Sequence, residues 1–250
     1  MLDSFHYALL VVDIERFGRR SDVDQQWLRD QLRQVLRRVC AESGVPHDEL
    51  AWQDTGDGGF FLVPASLPKR LLVDPFVVRL HAALREHNGR ASGDGRLRLR
   101  VALHAGEVAT DTSLDGRAGY VGRDLNFACR LVDAAALRER LAAHPQAQLV
   151  FAVSDVIHQA VIRRGDGAID PSGYTPFRLQ AKEVDETAWV HVPGVVEPAA
   201  PAAPVPPDAQ RREADRPGGP AVTTDGGVSI SGSIHAGNDV VMRDKIEYHR

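Results

Sequence analysis

Residues 52–61 read WQDTGDGGFF: two aspartates, Asp54 and Asp57, sit among three glycines and run directly into an apolar, aromatic stretch. Glycine reaches backbone conformations closed to other residues, and aspartate bonds its own backbone, so both suit a tight turn. Residues 51–64 therefore read as strand, turn, strand. What the carboxylates do there depends on what the turn meets in the fold.

Working outward, 7–14 (YALLVVDI) is an almost unbroken run of β-formers and predicts a buried strand that carries Asp13 near its end. Residues 24–42 place Trp27, Leu28, Leu32, Val35, Leu36 and Val39 at helical spacing, with Gly44 as a stop. Downstream, 74–87 is a second amphipathic helix, 92–95 (SGDG) a loop, and 97–105 (LRLRVALHA) a strictly alternating strand. A third helix over 125–144, a strand over 149–153, a short helix over 155–163 and strands over 177–181 and 188–192 complete the pattern. The order is β-α-β-β-α-β-α-β-α-β-β. Its first half matches the split βαβ plan of ferredoxin-like folds, so the class is α+β, a mixed sheet with helices mainly on one face. In that plan the first strand lies beside the third, which brings Asp13 and Asp57 together.

Hydrophobic residues make up 43% of the 250, enough for a substantial core, and the formal net charge of -4 does not favour a nucleic-acid footprint. The two cysteines, Cys40 and Cys129, imply no disulfide framework and suit a reducing compartment. The first 17 residues lack a basic leader, and their apolar run is too short for a signal sequence or a membrane span. A soluble, cytoplasmic protein with no membrane partner is expected. The alternating pattern ends near 195. Residues 196–225, rich in Ala and Pro, read as a disordered linker. Residues 226–250 alternate Val228, Ile230 and Ile234 with Ser and Gly, which reads either as a disordered tail or as a β-prone segment that pairs with a protein partner or with copies of itself.

Two carboxylates brought together resist ionising beside one another, and a divalent cation removes that cost. Hard oxygen ligands suit Mg²⁺ or Mn²⁺. At this point four stretches resemble class III nucleotidyl cyclases, the family of adenylate and guanylate cyclase domains. They are VVDIERFG (11–18), QDTGDGGFF (53–61), LRVALHAGEV (99–108) and GRDLNFACRL (122–131), with FRLQAKEVDETAWVHV (177–192) a weaker fifth. They fall in the family's order across roughly 7–193. The resemblance implies that Asp13 and Asp57, helped by the Ile14 carbonyl, bind two divalent cations per site. It further implies that amides at Phe17 and Gly18 and the side chain of Lys182 contact the triphosphate. Asn126 orients the ribose, and Arg130, four residues on and so on the same helical face, neutralises charge on the transferring phosphate. The implied product is a 3′,5′-cyclic nucleotide with pyrophosphate. The implied assembly is a homodimer with shared sites, aspartates from one chain and Asn and Arg from the other. His104 is assigned to the strand rather than to the chemistry.

The sequence departs from the family where the base is read. Gln53 and Gly119 stand at positions that are charged in adenylate cyclases. A carboxamide can pair with the edge of uracil or cytosine, with Asp54 or Tyr120 as further readers. In lacking the usual purine readers the chain is similar to the pyrimidine cyclases of bacterial antiphage Pycsar systems, which would make cUMP or cCMP as a second messenger. An adenylate or guanylate cyclase reading the base with other groups, and a non-catalytic nucleotide-binding or interaction module, are the alternatives.

Overall fold

Asp13 lies opposite Gly58 in an antiparallel pair at the middle of a mixed sheet, and this pairing organises the domain. The computed structural model describes residues 3–111, 119–181, 184–195, 222–223 and 229–230. The chain divides into two units, 1–199 and 200–250. The first contains β1 (Ser4–Ile14), α1 (Asp22–Glu42), β2 (Ala51–Asp54), β3 (Gly58–Pro64), α2 (Phe76–Arg90), β4 (Leu99–Asp111), β5 (Gly119–Val121), α3 (Arg123–Val132), α4 (Ala135–Ala143), β6 (Leu149–Ser154), α5 (Asp155–Ala160), β7 (Thr175–Ala181) and β8 (Val184–His191). The strands form one sheet ordered β2-β3-β1-β4-β6-β8-β7, with β5 on β4. β4 and β6 run parallel and the other pairs antiparallel. As expected, β1 lies beside β3; its other neighbour is β4.

Alternation along β1 feeds two cores. Ala8, Leu10, Val12 and Ile14 pack with α1, α2 and α5, while Leu9 and Val11 pack with α3 and α4 on the opposite face. The expectation of helices mainly on one face holds for the split βαβ half. It is corrected for the second half, because β1 is apolar at both parities and needs cover on both sides. The single helix expected over 125–144 is also corrected. It breaks at Ala134, whose backbone is extended at φ -61°, ψ 141°. No Gly or Pro marks this break. It lets α3 lie along β4 and β1 while α4 turns to cover β6, burying Leu137 and Leu141.

The glycines of the 52–61 stretch now have reasons. Gly56 has φ +99°, and a Cβ at Gly58 would lie 2.0 Å from the Val12 carbonyl oxygen, so β3 approaches β1 only without a side chain there. Cys40 and Cys129 are both free. No described helix is long and apolar enough to cross a membrane. In the second unit, Val222–Thr223 and Ser229–Ile230 form a two-residue antiparallel pair. The rest of the expected linker and tail lies outside the described residues.

Candidate active site

The two aspartates of the turn have separate partners. Asp54 faces α1: its Oδ1 accepts from Arg29 Nη2 at 2.7 Å and from the Gly56 N–H at 2.9 Å, and its Oδ2 accepts from Arg33 Nη2 at 2.8 Å. Arg29 and Arg33, one turn apart on α1, thus hold the turn from outside. Partial burial works to raise the Asp54 pKa, but Arg29, the Gly56 amide and Arg33 together keep it below the ordinary carboxylate value. The suggestion of Asp54 as a base reader is corrected, since its carboxylate is committed to this clamp.

Asp57 is exposed and sits beside Asp13. Its carbonyl accepts the Ile14 N–H at 2.9 Å, which locks the turn to the end of β1. The Asp13 carboxyl is raised to about 6, first by burial, with Asp57 and Asp133 adding to the effect against the opposing pull of Arg100. Arg100, directly opposite Asp13 across β1 and β4, donates to Asp13 Oδ2 from Nε at 2.9 Å and places Nη2 at 2.6 Å. The sequence reading misses Arg100. The signal is there: an arginine inside a strand this apolar requires a facing acid.

The folded state therefore holds the Asp13 proton more tightly than the unfolded chain does. This contribution to stability is fully present below pH 3.8 and is lost as pH rises through about 6. Measured by urea unfolding in EDTA, wild type should gain about 1 kcal/mol relative to Asp13→Asn between pH 7 and pH 5. A difference that is flat or falls toward pH 5 would contradict the burial of this carboxyl.

The loop after β1 passes through a left-handed Arg16 (φ 57°) into a 3₁₀ turn, Phe17–Arg19. Phe17 is anchored in the core, and Gly18 is exposed beside it. Ile14 is buried at the strand end.

Asn126 and Arg130 open into one cleft of about 770 Å³, lined also by His104, Asp124, Val184 and Glu186, and neither Asp13 nor Asp57 lines it. Arg130 also faces a second groove, with Asp133, Arg138 and Ala181. It stands on the ridge between the two, where Ala181 and Val184 pair at the base of the β7–β8 hairpin. Lys182 follows β7 in the sequence and lies outside the described residues.

Gln53 is exposed on β2 and pairs with Phe60. The Phe60 ring meets Tyr120 edge-on at 6.1 Å, and Gly119 precedes Tyr120 in β5. Gln53 and Tyr120 thus both neighbour Phe60, one through the ladder and one through its ring, within a single chain.

His104 is buried in β4. Its Nδ1 lies 2.8 Å from Ser154 Oγ, and its Nε2 lies 3.6 Å from Asp124 Oδ1. Burial holds its pKa below the ordinary histidine value, against the opposing pull of Asp124.

The donor set at Asp13 and Asp57 fits Mg²⁺ or Mn²⁺. It offers hard carboxylate oxygens, of which Asp13 Oδ2 is also held by Arg100, and such ions take further ligands from substrate phosphates. Among the described residues no three His, Cys, Asp or Glu side chains converge on a metal position.

No sequence-family model and no curated protein matches the chain. Solved structures do. The guanylyl cyclase Cya2 is similar at 19% identity and TM-score 0.54, covering 79% of this chain and 96% of its own. The guanylate cyclase domain of RhGC from Catenaria anguillulae, solved with GTP, is similar at 17% identity and TM-score 0.50, covering 76% and 98%. A non-canonical dimeric guanylyl cyclase domain of the RhoGC fusion protein from Blastocladiella emersonii is similar at 14% and 0.50, covering 77% and 98%. Residues 1–199 have the fold of these cyclase catalytic domains.

Proposed function

We propose that the protein is a nucleotidyl cyclase that converts a nucleoside triphosphate to a 3′,5′-cyclic nucleotide and pyrophosphate. The observation that carries this reading is the paired carboxylate end of β1 and β3, on a fold shared with guanylyl cyclases, in a chain that also presents Asn126 and Arg130 in one cleft. Asp13, Asp57 and the Ile14 carbonyl would hold two divalent cations, which when bound neutralise the triphosphate and acidify the attacking hydroxyl. Asn126 holds the ribose so that its 3′-oxygen faces the α-phosphorus. The new P–O bond forms as the bond to the β-phosphate oxygen breaks. The hydroxyl proton passes to solvent, and pyrophosphate leaves. Arg130 meets the charge that grows on the transferring group. Amides at Phe17 and Gly18, together with Lys182, hold the leaving phosphates.

The metal half and the Asn–Arg half do not share a cleft within one chain. This supports a homodimer whose two sites each draw on both protomers. For the base, the neutral Gln53 beside Phe60 and Tyr120 favours a pyrimidine, read by a carboxamide against an aromatic wall. The product would then be cUMP or cCMP, and a signalling role in antiphage defence follows from the same reading. The tail at 226–250 would serve a protein partner rather than chemistry.

The test is incubation of the full chain with each of the four NTPs and Mn²⁺, with products identified by mass spectrometry. A cyclic pyrimidine nucleotide supports the whole reading. A cyclic purine supports the cyclase and removes the pyrimidine. No cyclic product from any of the four, in a protein that is folded and loaded with metal, removes the cyclase.

A further inference from the structure

Asp124, in the first turn of α3, is an ordinary place for an acid, since the helix dipole favours one there. Its carboxylate, however, points out of the helix. The outer edge of β4 is paired with β6 as far as Leu103 and with β5 from Ala109 onward. Between them neither strand reaches, and backbone groups of β4 would be left without a partner. Asp124 Oδ2 enters this gap and accepts the Glu107 N–H at 2.6 Å. The fit is close, because a Cβ at Gly106 would lie 2.0 Å from the same oxygen. The other oxygen stands 3.6 Å from His104 Nε2, whose ring lies 4.5 Å from Phe127, one residue past Asn126. The helix has no side-chain cap of its own: Gly122 precedes it, and a Cβ there would lie 2.9 Å from the Glu107 carbonyl oxygen. The start of α3 is therefore held to β4 by a carboxylate that stands in for the missing strand.

We propose that Asp124 is a positioning residue for the cyclase site: by plugging the gap in β4 it sets the height and rotation of α3, and so the aim of Asn126 and Arg130. This rests on the cyclase reading above, and its test separates the two. Asp124→Ala should lower kcat at least about tenfold with little change in KM, as expected when a group is misaimed in the transition state rather than lost from binding. Asp124→Asn keeps an acceptor for the Glu107 amide and should stay within about threefold of wild type. Gly106→Ala should be as damaging as Asp124→Ala, yet cost little more in the Asp124→Ala background, because the oxygen it would strike is gone. Combined with Asn126→Ala, Asp124→Ala should cost less than it does in wild type, because only the aim of Arg130 is then left to disturb. Full activity of Asp124→Ala, or a loss that multiplies with that of Asn126→Ala, overturns the proposal.

Hydrogen exchange reads the clamp without any turnover. In Asp124→Ala, amides of 123–128 should exchange at least about tenfold faster while those of β1 and β3 keep their wild-type rates. Unchanged exchange over 123–128 overturns the clamp even in an active enzyme. A wild type that cyclises no nucleotide removes the cyclase reading, and the exchange result then decides the clamp alone.

Discussion

Arg130→Ala is expected to lower kcat by about three orders of magnitude while KM for the nucleotide changes little, since a cation that meets charge only as it develops is worth that much in phosphoryl transfer. The expectation comes from where α3 places the side chain. Arg130 stands one turn beyond Asn126, on the ridge between two clefts, beside the base of the β7–β8 hairpin. Arg130→Lys should recover part of the loss, because the charge remains and the planar fork does not. Steady-state cyclic nucleotide formation checks this. A kcat for Arg130→Ala within tenfold of wild type would leave Arg130 as a surface residue.

Asp57→Ala is expected to remove activity by at least a factor of about a hundred, since one of the two carboxylates proposed to hold the cations is gone. The fold should survive. Asp57 is exposed, and its turn is held by the backbone bond to Ile14 and by the Asp54 clamp. The melting temperature should therefore stay within a few degrees of wild type. Mixed after subunit exchange, Asp57→Ala and Arg130→Ala should regain roughly a quarter of wild-type activity. Half the dimers are then mixed, and each mixed dimer carries one intact site. Two inactive variants that stay inactive despite demonstrated exchange would argue that each chain carries a complete site.

Several of these parts are legible in the amino-acid sequence. The hairpin at 52–61 and the strand ending at Asp13 depend on local turn chemistry and on an unbroken apolar run, and both stand where expected. Their adjacency follows from the split βαβ order. The helical spacing of Asn126 and Arg130 puts them on one face, and they share one cleft. What stays hidden depends on contacts between distant segments. Nothing around Ala134 marks a break. Asp54 and Asp57 look alike in a turn, and only Arg29 and Arg33, brought in by α1, tell them apart. The role of Asp124 is invisible without the gap between β5 and β6.

The Asp54 clamp also bears on how such a protein can change over generations. It fixes the hairpin through its own carboxylate and two arginines of α1, independently of the neighbouring Gln53. Gln53 is exposed, and its side-chain Nε2 lies 3.4 Å from the Asp54 carbonyl. A substitution at 53 can therefore change the chemistry of the β2 edge without moving Asp57. Where that edge reads the base, as proposed, ligand preference can drift along a lineage while Asp13 and Asp57 stay in register, and each step of that drift passes through a folded protein.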